Sequence, residues 1–457
     1  MKKEGRRRLR VVLVPAPFQG HINPMLQLGS ILHSNGFSIT VVHAQYNSPK
    51  PSSHPDFSFL SLPDTSTDHK MSRGDELVPF VWQLNAKCKV RFRECLADQV
   101  KMSRQQDKTD DEIACIIYDE AMYFSEETAK DLNLPSIILR TGSASHFFTR
   151  SALVQLIKTE GHIPFLESKS HEPISELYPL RFKDLPHSIF KNIDKLLQIE
   201  SEASENKTYS AIIHNTTVCL ENSSLAKIQQ QCQVPIFSIG PMHKIASASS
   251  SSLWEEDNSC LAWLDKQSCN SVIYVSLGSL AFMDAKELVE MAWGLANSQQ
   301  PFLWVVRPGS VHGAEWIEIL AKCFKENIEE RGYIVKWAPQ KKVLAHDAVG
   351  GFLSNCGWNS TLESICEGIP MICRPCFGDQ GVNARYVSHI WKMGLELESE
   401  LERGKIEKAV RRLLVDEEGK EMRKRAKNLK DIVELCTREG GSSNNSLKEL
   451  IEMIMSF

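Results

Sequence analysis

The run of residues from 351 to 363 has the residue types of an anion site. Gly351–Leu353 is a predicted short strand, and the residues from Cys356 to Glu363 have the character of a turn that enters a helix. The free amides at a helix N-terminus, together with the positive end of the helix dipole, form a site suited to a diphosphate. Asn359 and Ser360 could add side-chain donors there. The segment is therefore a candidate diphosphate-binding turn.

Two neighbouring side chains could extend this turn into a nucleotide site. Glu363 follows Ser360 by three positions, so one interpretation is a capping box that only starts the helix. The other is a carboxylate that binds a vicinal diol such as a ribose, as acidic residues do in dinucleotide sites. Trp337 offers a flat face on which a base could stack. Each feature alone is more often structural than functional, so the prediction depends on finding them together.

His21 and Asp119 are candidates for acid–base chemistry in the first half of the chain. His21 follows the predicted strand Arg10–Val14 and precedes a helix expected to begin near Pro24, whereas Asp119 follows the predicted strand Ile113–Tyr118. A neutral imidazole can take a hydroxyl proton around neutral pH, and a carboxylate on its other nitrogen fixes the tautomer. The alternatives are a histidine that packs or caps at the helix entry and an aspartate that only ends a strand.

Short β-branched runs alternate with longer amphipathic segments along the whole chain, and these elements must position the candidates. Such a pattern is typical of parallel sheets covered on both faces. The sequence therefore predicts two doubly wound α/β domains in series, with ligands in the cleft beyond the carboxyl ends of the strands. The predicted strands are Arg10–Val14, Ser38–His43, Phe57–Leu60, Ile113–Tyr118, Ser136–Leu139, Ala211–His214, Ser271–Ser276, Phe302–Val306, Tyr333–Lys336, Gly351–Leu353 and Pro370–Cys373, and the predicted helices include Asn23–Ser34, Leu77–Gln99 and Ser125–Leu132.

A serine-rich segment marks the expected boundary between the two domains. Five of the eight residues from 245 to 252 are serine, a composition typical of a flexible linker. We expect an N-terminal domain over 1–244, a linker over 245–253 and a C-terminal domain over 254–440. Ser446 and Glu449 have the spacing of a capping box, and we expect the last helix, within 441–457, to pack back on the N-terminal domain.

Composition excludes several classes of function. The 457 residues carry 53 basic and 57 acidic side chains, a net charge of −4, which argues against nucleic acid as the main partner because phosphate binding normally leaves a basic excess. No apolar run approaches the ~18 residues of a membrane span, and the basic start does not continue as a signal peptide. The 13 cysteines are scattered, so we expect reduced thiols, no zinc site and a cytoplasmic location.

The segment Trp337–Gln380 closely resembles the 44-residue signature box of the plant family 1 UDP-sugar glycosyltransferases, in length and in its framing residues. The resemblance extends over essentially the whole chain, from Pro17–Pro24 to Glu439–Ser443. It is strongest to the branch that acts on small plant hydroxy-compounds and hormones. The resemblance implies a GT-B architecture, in which two Rossmann-like domains face a cleft and the C-terminal domain holds most of the UDP-sugar.

The family pattern also implies roles for the residues of the box. The pattern implies that Trp337 stacks on the uracil, that Ala338 and Gln340 contact the base and ribose, and that Glu363 binds the ribose hydroxyls. It implies that Gly357, Asn359 and Ser360 hold the diphosphate, together with Ser279 from a loop after a strand. It implies that Asp379 and Gln380 bind the sugar hydroxyls. In the family, Trp358 and the terminal glutamine accompany UDP-glucose. No Asp-x-Asp pair stands at a predicted strand end, so we expect no metal and no cofactor besides the co-substrate UDP-glucose.

The resemblance assigns the catalytic pair and the reaction as well. His21 resembles the general base and Asp119 the residue that orients it, while Thr141 matches a position near the sugar. The implied reaction is an inverting transfer of glucose from UDP-glucose to a hydroxyl or carboxyl group of a small plant metabolite, by a monomer. Acceptor pockets are built from variable loops, and the candidate acceptor residues are Phe18, Met122, Phe124, His146 and Phe190.

Asn355 departs from the family pattern, which usually has a histidine before Cys-Gly-Trp-Asn-Ser. An asparagine amide can donate a hydrogen bond but cannot carry a charge. Three alternatives are open: a tolerated replacement, weakened donor binding, and a catalytically silent homologue that only binds a UDP-sugar or another small molecule. A nucleotide-linked oxidoreductase is disfavoured, because no Gly-x-Gly-x-x-Gly follows a predicted strand.

Overall fold

The computed structural model describes residues 9–63, 77–105, 112–160, 170–185, 208–246, 252–320, 330–397 and 400–457, together with a few single positions in 194–198 and 324–328. The strands in these parts of the chain form two sheets in which every neighbouring pair is parallel. The strands of the first sheet are β1 (Arg10–Val14), β2 (Ser38–Ala44), β3 (Ser58–Leu62), β4 (Ile113–Asp119), β5 (Ser136–Arg140), β6 (Ala211–His214) and β7 (Ile236–Ser238). Those of the second are β8 (Val272–Ser276), β9 (Phe302–Val305), β10 (Gly332–Val335), β11 (Val349–Ser354), β12 (Met371–Cys373) and β13 (Gly394–Glu396).

Helices connect the strands and cover both faces of each sheet. In the N-terminal half they are α1 (Gln19–Ser34), α2 (Leu77–Gln105), α3 (Phe124–Asp131), α4 (Ala144–Glu160), α5 (Val218–Gln231) and α6 (Met242–Ile245). In the C-terminal half they are α7 (Ser259–Leu264), α8 (Ala285–Asn297), α9 (Gln340–Leu344), α10 (Trp358–Glu367), α11 (Gln380–Arg385), α12 (Arg403–Leu414), α13 (Glu417–Thr437) and α14 (Ser442–Ser456). Each sheet separates two apolar cores, which is why its central strands are continuous apolar runs.

The strand order places a reversal of winding in the middle of each sheet. The first sheet has the order β3-β2-β1-β4-β5-β6-β7 and the second the order β10-β9-β8-β11-β12-β13. In each sheet the chain winds outwards in both directions from one central pair, β1 with β4 and β8 with β11. Parallel sheets bind ligands in the crevice at such a point. The two sheets confirm the predicted fold class.

Several expected element boundaries were wrong. α1 begins at Gln19, so His21 lies in its first turn and not ahead of a helix that starts near Pro24. α14 begins at Ser442, which places Ser446 and Glu449 inside the helix and excludes the expected capping box. The short strands β7 and β13 had no prediction, because three residues are too few to show a periodic pattern.

Contacts between the two halves also hold α11 in place. Residues 170–185, which precede β6, lie against the C-terminal sheet, where the Arg181 guanidinium bonds the carboxylates of Asp184 and Glu396. All three side chains are largely buried. At Gly381 in α11, a Cβ atom would lie 2.5 Å from the carbonyl oxygen of Asp184. Only glycine allows this approach, which fixes α11 against the N-terminal half.

The last helix packs on the N-terminal sheet. Leu450 and Ile454 of α14 are fully buried in the same core as Val11 and Leu13 of β1, and the Ser443 hydroxyl donates to the carbonyl of Gly240 over 2.7 Å. The apolar face of α14 is thus part of the core beneath the first sheet.

We expect Leu450→Ala to lower the free energy of unfolding by about 2–5 kcal/mol, since it leaves a cavity in this core. Met455→Ala is the matched control on the same helix, because Met455 is 54% exposed, and its effect should stay within about 0.5 kcal/mol. Urea unfolding followed by circular dichroism measures both. Equal effects of the two substitutions would mean that α14 is not part of the core.

Candidate active site

The two central strand pairs open onto one cleft of about 830 Å³ between the halves of the chain. In the N-terminal half, His21 follows β1 and Asp119 ends β4, and these strands are neighbours. In the C-terminal half, Ser279 follows β8 and Asn355 follows β11, which are also neighbours. All four residues line the cleft. Residues far apart in the sequence therefore meet at the carboxyl edges of the sheets.

His21 and Asp119 form a hydrogen-bonded pair. The Nδ1 atom of His21 lies 2.8 Å from Oδ2 of Asp119, and the other carboxylate oxygen accepts the backbone N–H of Ala121 over 2.9 Å. Asp119 is 2% exposed, whereas the His21 side chain is 34% exposed to the cleft. The Thr141 hydroxyl lies 3.0 Å from the same Nδ1 atom. A proton on Nδ1 that is held by the carboxylate leaves Nε2 as a proton acceptor.

The negative charges around His21 favour the protonated form of its imidazole. Burial lowers the pKa of His21, but the carboxylate of Asp119 and its hydrogen bond outweigh burial, so the pKa lies above its ordinary value. Asp379, from the opposite side of the cleft, acts in the same direction. The charge that His21 would gain on accepting a proton is therefore stabilised from both halves of the chain.

The candidate diphosphate turn is the N-terminus of α10. Gly357 is the residue that flanks its N-terminus, so Ser360 lies in the first turn of the helix. The capping-box interpretation of Ser360 and Glu363 is therefore wrong. Asn355 is 6% exposed, and its Oδ1 lies 3.4 Å from the Gly357 nitrogen. Gly278 has a φ of 77°, and a Cβ atom there would lie 3.1 Å from Nδ2 of Asn355. The glycine lets the two loops meet.

Asn359 joins this turn to the helix that carries His21. Its Nδ2 donates to the carbonyl oxygen of Gly20 over 2.8 Å. Within α1 that carbonyl would accept from the backbone of residue 24, but Pro24 has no N–H. The proline thus leaves the Gly20 carbonyl available for a side chain from the other half of the chain.

The candidate base and ribose residues form a connected group. The indole N–H of Trp337 donates to Ser252 over 3.0 Å, and its ring centroid is 6.2 Å from that of Trp254. The Gln340 amide donates to Ser360 over 2.9 Å and to Glu363 over 2.8 Å.

Ala338 and Glu363 also line the cleft. Burial raises the pKa of Glu363, and the hydrogen bond from Gln340 opposes this.

The candidate sugar residues Asp379 and Gln380 stand at the start of α11. The Gln380 side-chain oxygen accepts from the backbone nitrogens of Cys376 and Phe377 over 2.8 and 3.1 Å, so its NH₂ group is the end available for a ligand. Both residues line the cleft, as does Trp358. The indole N–H of Trp358 donates to the Asn215 carbonyl over 2.8 Å, which leaves only its ring for a ligand.

The expected acceptor residues differ in whether they line the cleft. Phe18 and His146 line the cleft, and burial lowers the pKa of His146 to about 3, so its imidazole is neutral. Met122 and Phe124 are a correction, because they are buried in the core on the face of the first sheet opposite to α14 and do not line the cleft. Phe190 lies outside the described residues.

Side chains for which there was no prediction also line the cleft, among them Glu120, Arg150 and Phe377. Arg150 is one helical turn after His146 in α4, a spacing that places both on one face, and this was the available signal. Burial raises the pKa of Glu120, but Arg140 and Arg150 outweigh burial and lower it to about 2. Glu120 is therefore ionised.

Among the described residues, no group of three His, Cys, Asp or Glu side chains is arranged to hold a metal ion. In the same part of the chain, no helix has both the length and the apolarity that crossing a membrane requires.

A cleft between two parallel-sheet domains, with a histidine–carboxylate pair on one wall and a helix N-terminus on the other, is the site of a GT-B glycosyltransferase. The sequence profile of the family "UDP-glucoronosyl and UDP-glucosyl transferase" matches residues 30–430. The chain belongs to this family of UDP-glycosyltransferases, and the expected resemblance is confirmed.

Relatives and solved structures are similar over nearly the full chain. The chain is 50% identical to the flavonol 3-O-glucosyltransferase UGT76E12 of Arabidopsis thaliana, over 98% of this chain and 97% of the relative. It is 49% identical to UDP-glycosyltransferase 76B1 of the same plant, over 98% of each. UGT2 of Phytolacca americana, solved with UDP-2fluoro-glucose and pterostilbene, superposes with a TM-score of 0.81 at 26% identity, over 98% of this chain and 100% of that one.

We expect Asp119→Asn to lower the pKa of His21. Burial lowers this pKa, and the substitution removes the carboxylate charge that opposes burial. Titration of the imidazole nitrogens by NMR measures this pKa directly. Asp265→Asn is the control with the same change of charge, since Asp265 is exposed and contacts His346 at 3.2 Å, in another part of the chain. An unchanged His21 titration in Asp119→Asn would contradict the electrostatic account of the pair.

Proposed function

We propose that this UDP-glycosyltransferase transfers glucose from UDP-glucose to a hydroxyl or carboxyl group of a small plant metabolite, with inversion at the anomeric carbon. The observation that carries the proposal is the His21–Asp119 hydrogen bond of 2.8 Å, on a cleft that the N-terminus of α10 also lines. One wall can activate an acceptor oxygen and the other can stabilise a leaving diphosphate. A relative named as a glucosyltransferase and a neighbouring structure solved with UDP-2fluoro-glucose support the choice of donor.

In this mechanism His21 is the general base and Asp119 orients it. Nε2 takes the proton of the acceptor hydroxyl as its oxygen attacks the anomeric carbon, and the bond to the diphosphate oxygen breaks. Asp119 holds Nδ1–H and stabilises the imidazolium, as a carboxylate does for the histidine of a serine hydrolase triad. A single displacement converts the α-linked donor into a β-glucoside and UDP. The raised pKa of His21 supports this role.

We assign most of the donor to the C-terminal wall of the cleft. Trp337 stacks on the uracil, Ala338 and Gln340 contact the base and ribose, and Glu363 accepts from the ribose hydroxyls. The diphosphate binds at the N-terminus of α10, where amides and the helix dipole favour negative charge without a metal. The other proposed ligands are Ser279, Asn355, Gly357, Asn359 and Ser360 for the diphosphate, and Thr141, Trp358, Asp379 and Gln380 for the sugar, all of which line the cleft.

The aromatic side chains of the cleft support a flat, largely apolar acceptor. Phe18, Tyr123, Phe147 and Phe377 line the cleft, and aromatic walls favour ring-bearing ligands. A flavonol glucosyltransferase among the relatives and a stilbene in a neighbouring structure fit this lining. We therefore propose a phenolic alcohol or hydroxy acid of plant secondary metabolism as the acceptor, and Phe18 and His146 as residues that contact it.

The same proposal covers organisation and location. We propose domains over 1–244 and 254–440, joined by a linker over 245–253, with 441–457 as a helix on the first domain. A monomer suffices because one chain supplies both walls of the cleft.

The twelve cysteines among the described residues are free thiols, which supports a reducing, cytoplasmic location.

We expect His21→Ala to reduce turnover about 10²–10⁴-fold, the usual loss when a general base is removed. The affinity for UDP should change little, because the nucleotide wall belongs to the other domain. UDP release with UDP-glucose and a panel of plant phenolics, together with mass spectrometry for one added hexose, measures transfer. His33→Ala, at the other end of α1, is the matched control. A His21→Ala variant that keeps more than half of wild-type turnover would remove His21 from the mechanism.

We expect Asn355→His to increase the affinity for UDP-glucose or the turnover several-fold, because hydrogen bonds to charged groups contribute about 1.5–3 kcal/mol and neutral ones about 1 kcal/mol. The gain should grow at mildly acidic pH, where the new imidazole is protonated, and should appear with any acceptor. Steady-state kinetics against both substrates measures it. Transfer by the variant alone, with a silent wild type, would favour the alternative of a silent homologue, and lower activity would mean that the pocket is adapted to asparagine.

A further inference from the structure

Asn383 is a buried amide at the point where the two halves of the candidate site meet. It lies in α11, one helical turn after Asp379, and it is 1% exposed. It falls just beyond the Trp337–Gln380 segment, and no role was expected for it from the sequence.

Three hydrogen bonds connect the Asn383 side chain to three different parts of the site. Its Oδ1 accepts from the Ser143 hydroxyl over 2.7 Å. Its Nδ2 donates to Oδ2 of Asp379 over 2.9 Å and to the carbonyl oxygen of Cys356 over 2.9 Å. Ser143 lies two residues after Thr141, which contacts His21. Cys356 is the first residue of the candidate diphosphate turn. The Asn383 amide thus links the loop of Thr141 and Ser143, the candidate sugar ligand Asp379 and the candidate diphosphate turn.

The chemistry of these partners fixes the orientation of the amide. Asp379 Oδ2 and the Cys356 carbonyl only accept hydrogen bonds, so Nδ2 must face them. A flipped amide would place its oxygen against two acceptors. Because Nδ2 occupies one oxygen of the Asp379 carboxylate, the second oxygen is the one available to the cleft, which Asp379 lines.

We propose that Asn383 is a positioning residue that orients the Asp379 carboxylate for a sugar hydroxyl and ties it to the loop of Ser143 and Thr141. This inference rests on the proposed function, because it takes Asp379 as a ligand of the transferred sugar. Asn383 lies behind Asp379, and it acts on the sugar only through that carboxylate.

The charge of Asp379 depends on the same contact. Burial raises the pKa of Asp379, and the charge of Glu221 in α5 also raises it. The hydrogen bond from Asn383 is the largest of the effects that lower this pKa, ahead of the charge of His21. Loss of the amide donor should therefore raise the pKa of Asp379 further and favour its protonated form at neutral pH. A protonated carboxyl is a poorer acceptor for a sugar hydroxyl.

The test compares the binding of UDP-glucose with that of UDP by calorimetry, as a function of pH, in the full-length protein. In Asn383→Leu we expect the advantage of UDP-glucose over UDP to fall by about 10-fold or more at neutral pH and to recover as the pH rises and Asp379 ionises. In Asn383→Asp we expect a loss at neutral pH that recovers as the pH falls, because one proton shared by the two carboxyls replaces the amide donor. The affinity for UDP itself should stay within about twofold in both variants.

Asn85→Leu is the matched control. Asn85 is also buried and makes three hydrogen bonds, to the carbonyls of Val81 and Ala121 and from the backbone nitrogen of Phe124. We expect it to lower the melting temperature about as much as Asn383→Leu and to leave the ratio of UDP-glucose to UDP affinity unchanged at every pH.

The outcomes separate this inference from the proposed function. An Asn383→Leu variant that binds UDP and keeps the wild-type preference for UDP-glucose at every pH overturns the inference. A variant that loses UDP and UDP-glucose equally also overturns it, because the residue would then only support the fold. A wild type that binds UDP-glucose but transfers no glucose to any acceptor contradicts the proposed function. The binding comparison for Asn383 still tests the inference in that case, because it does not depend on transfer.

Discussion

The hydrogen bond between His21 and Asp119 exists because β1 and β4 are neighbours at the reversal of winding in the first sheet. Parallel pairing brings the carboxyl ends of both strands to one edge, so two residues 98 positions apart meet at 2.8 Å. The rest of the site depends on this constraint. The corresponding pair β8 and β11 places Ser279 and Asn355 on the opposite wall of the same cleft.

The two walls are joined by polar contacts that involve the site residues themselves. Asn359 reaches the Gly20 carbonyl that Pro24 leaves without a helical partner, and Asn383 connects Ser143 with Asp379 and the phosphate turn. Residues proposed for the donor are therefore positioned partly by the half that carries His21. In the proposed mechanism such a connection would hold the leaving group and the attacking oxygen in one geometry, and this positioning contributes to the rate of a transfer between two bound substrates.

Asn355 shows how a departure from a family pattern fits its surroundings. It is nearly buried between Gly357 and Gly278, and the positive φ of Gly278 lets the loop after β8 approach its amide. Because the asparagine is neutral, the amides and dipole of α10 are the groups that favour negative charge at the proposed diphosphate site. The other proposed diphosphate ligands on this wall line the cleft as well.

The sequence by itself determined the fold class, the family and the segment proposed to hold the donor, because apolar strands, helix-length spacings and the box from Trp337 to Gln380 are local patterns. It also placed His21 and Asp119 at strand ends. Only the tertiary structure decided which acceptor candidates line the cleft: Phe18 and His146 do, whereas Met122 and Phe124 do not. Neighbours in a loop point in different directions, and their local pattern does not say which. Contacts such as that of Ser143 with Asn383, 240 positions apart, follow only from how the two sheets face each other.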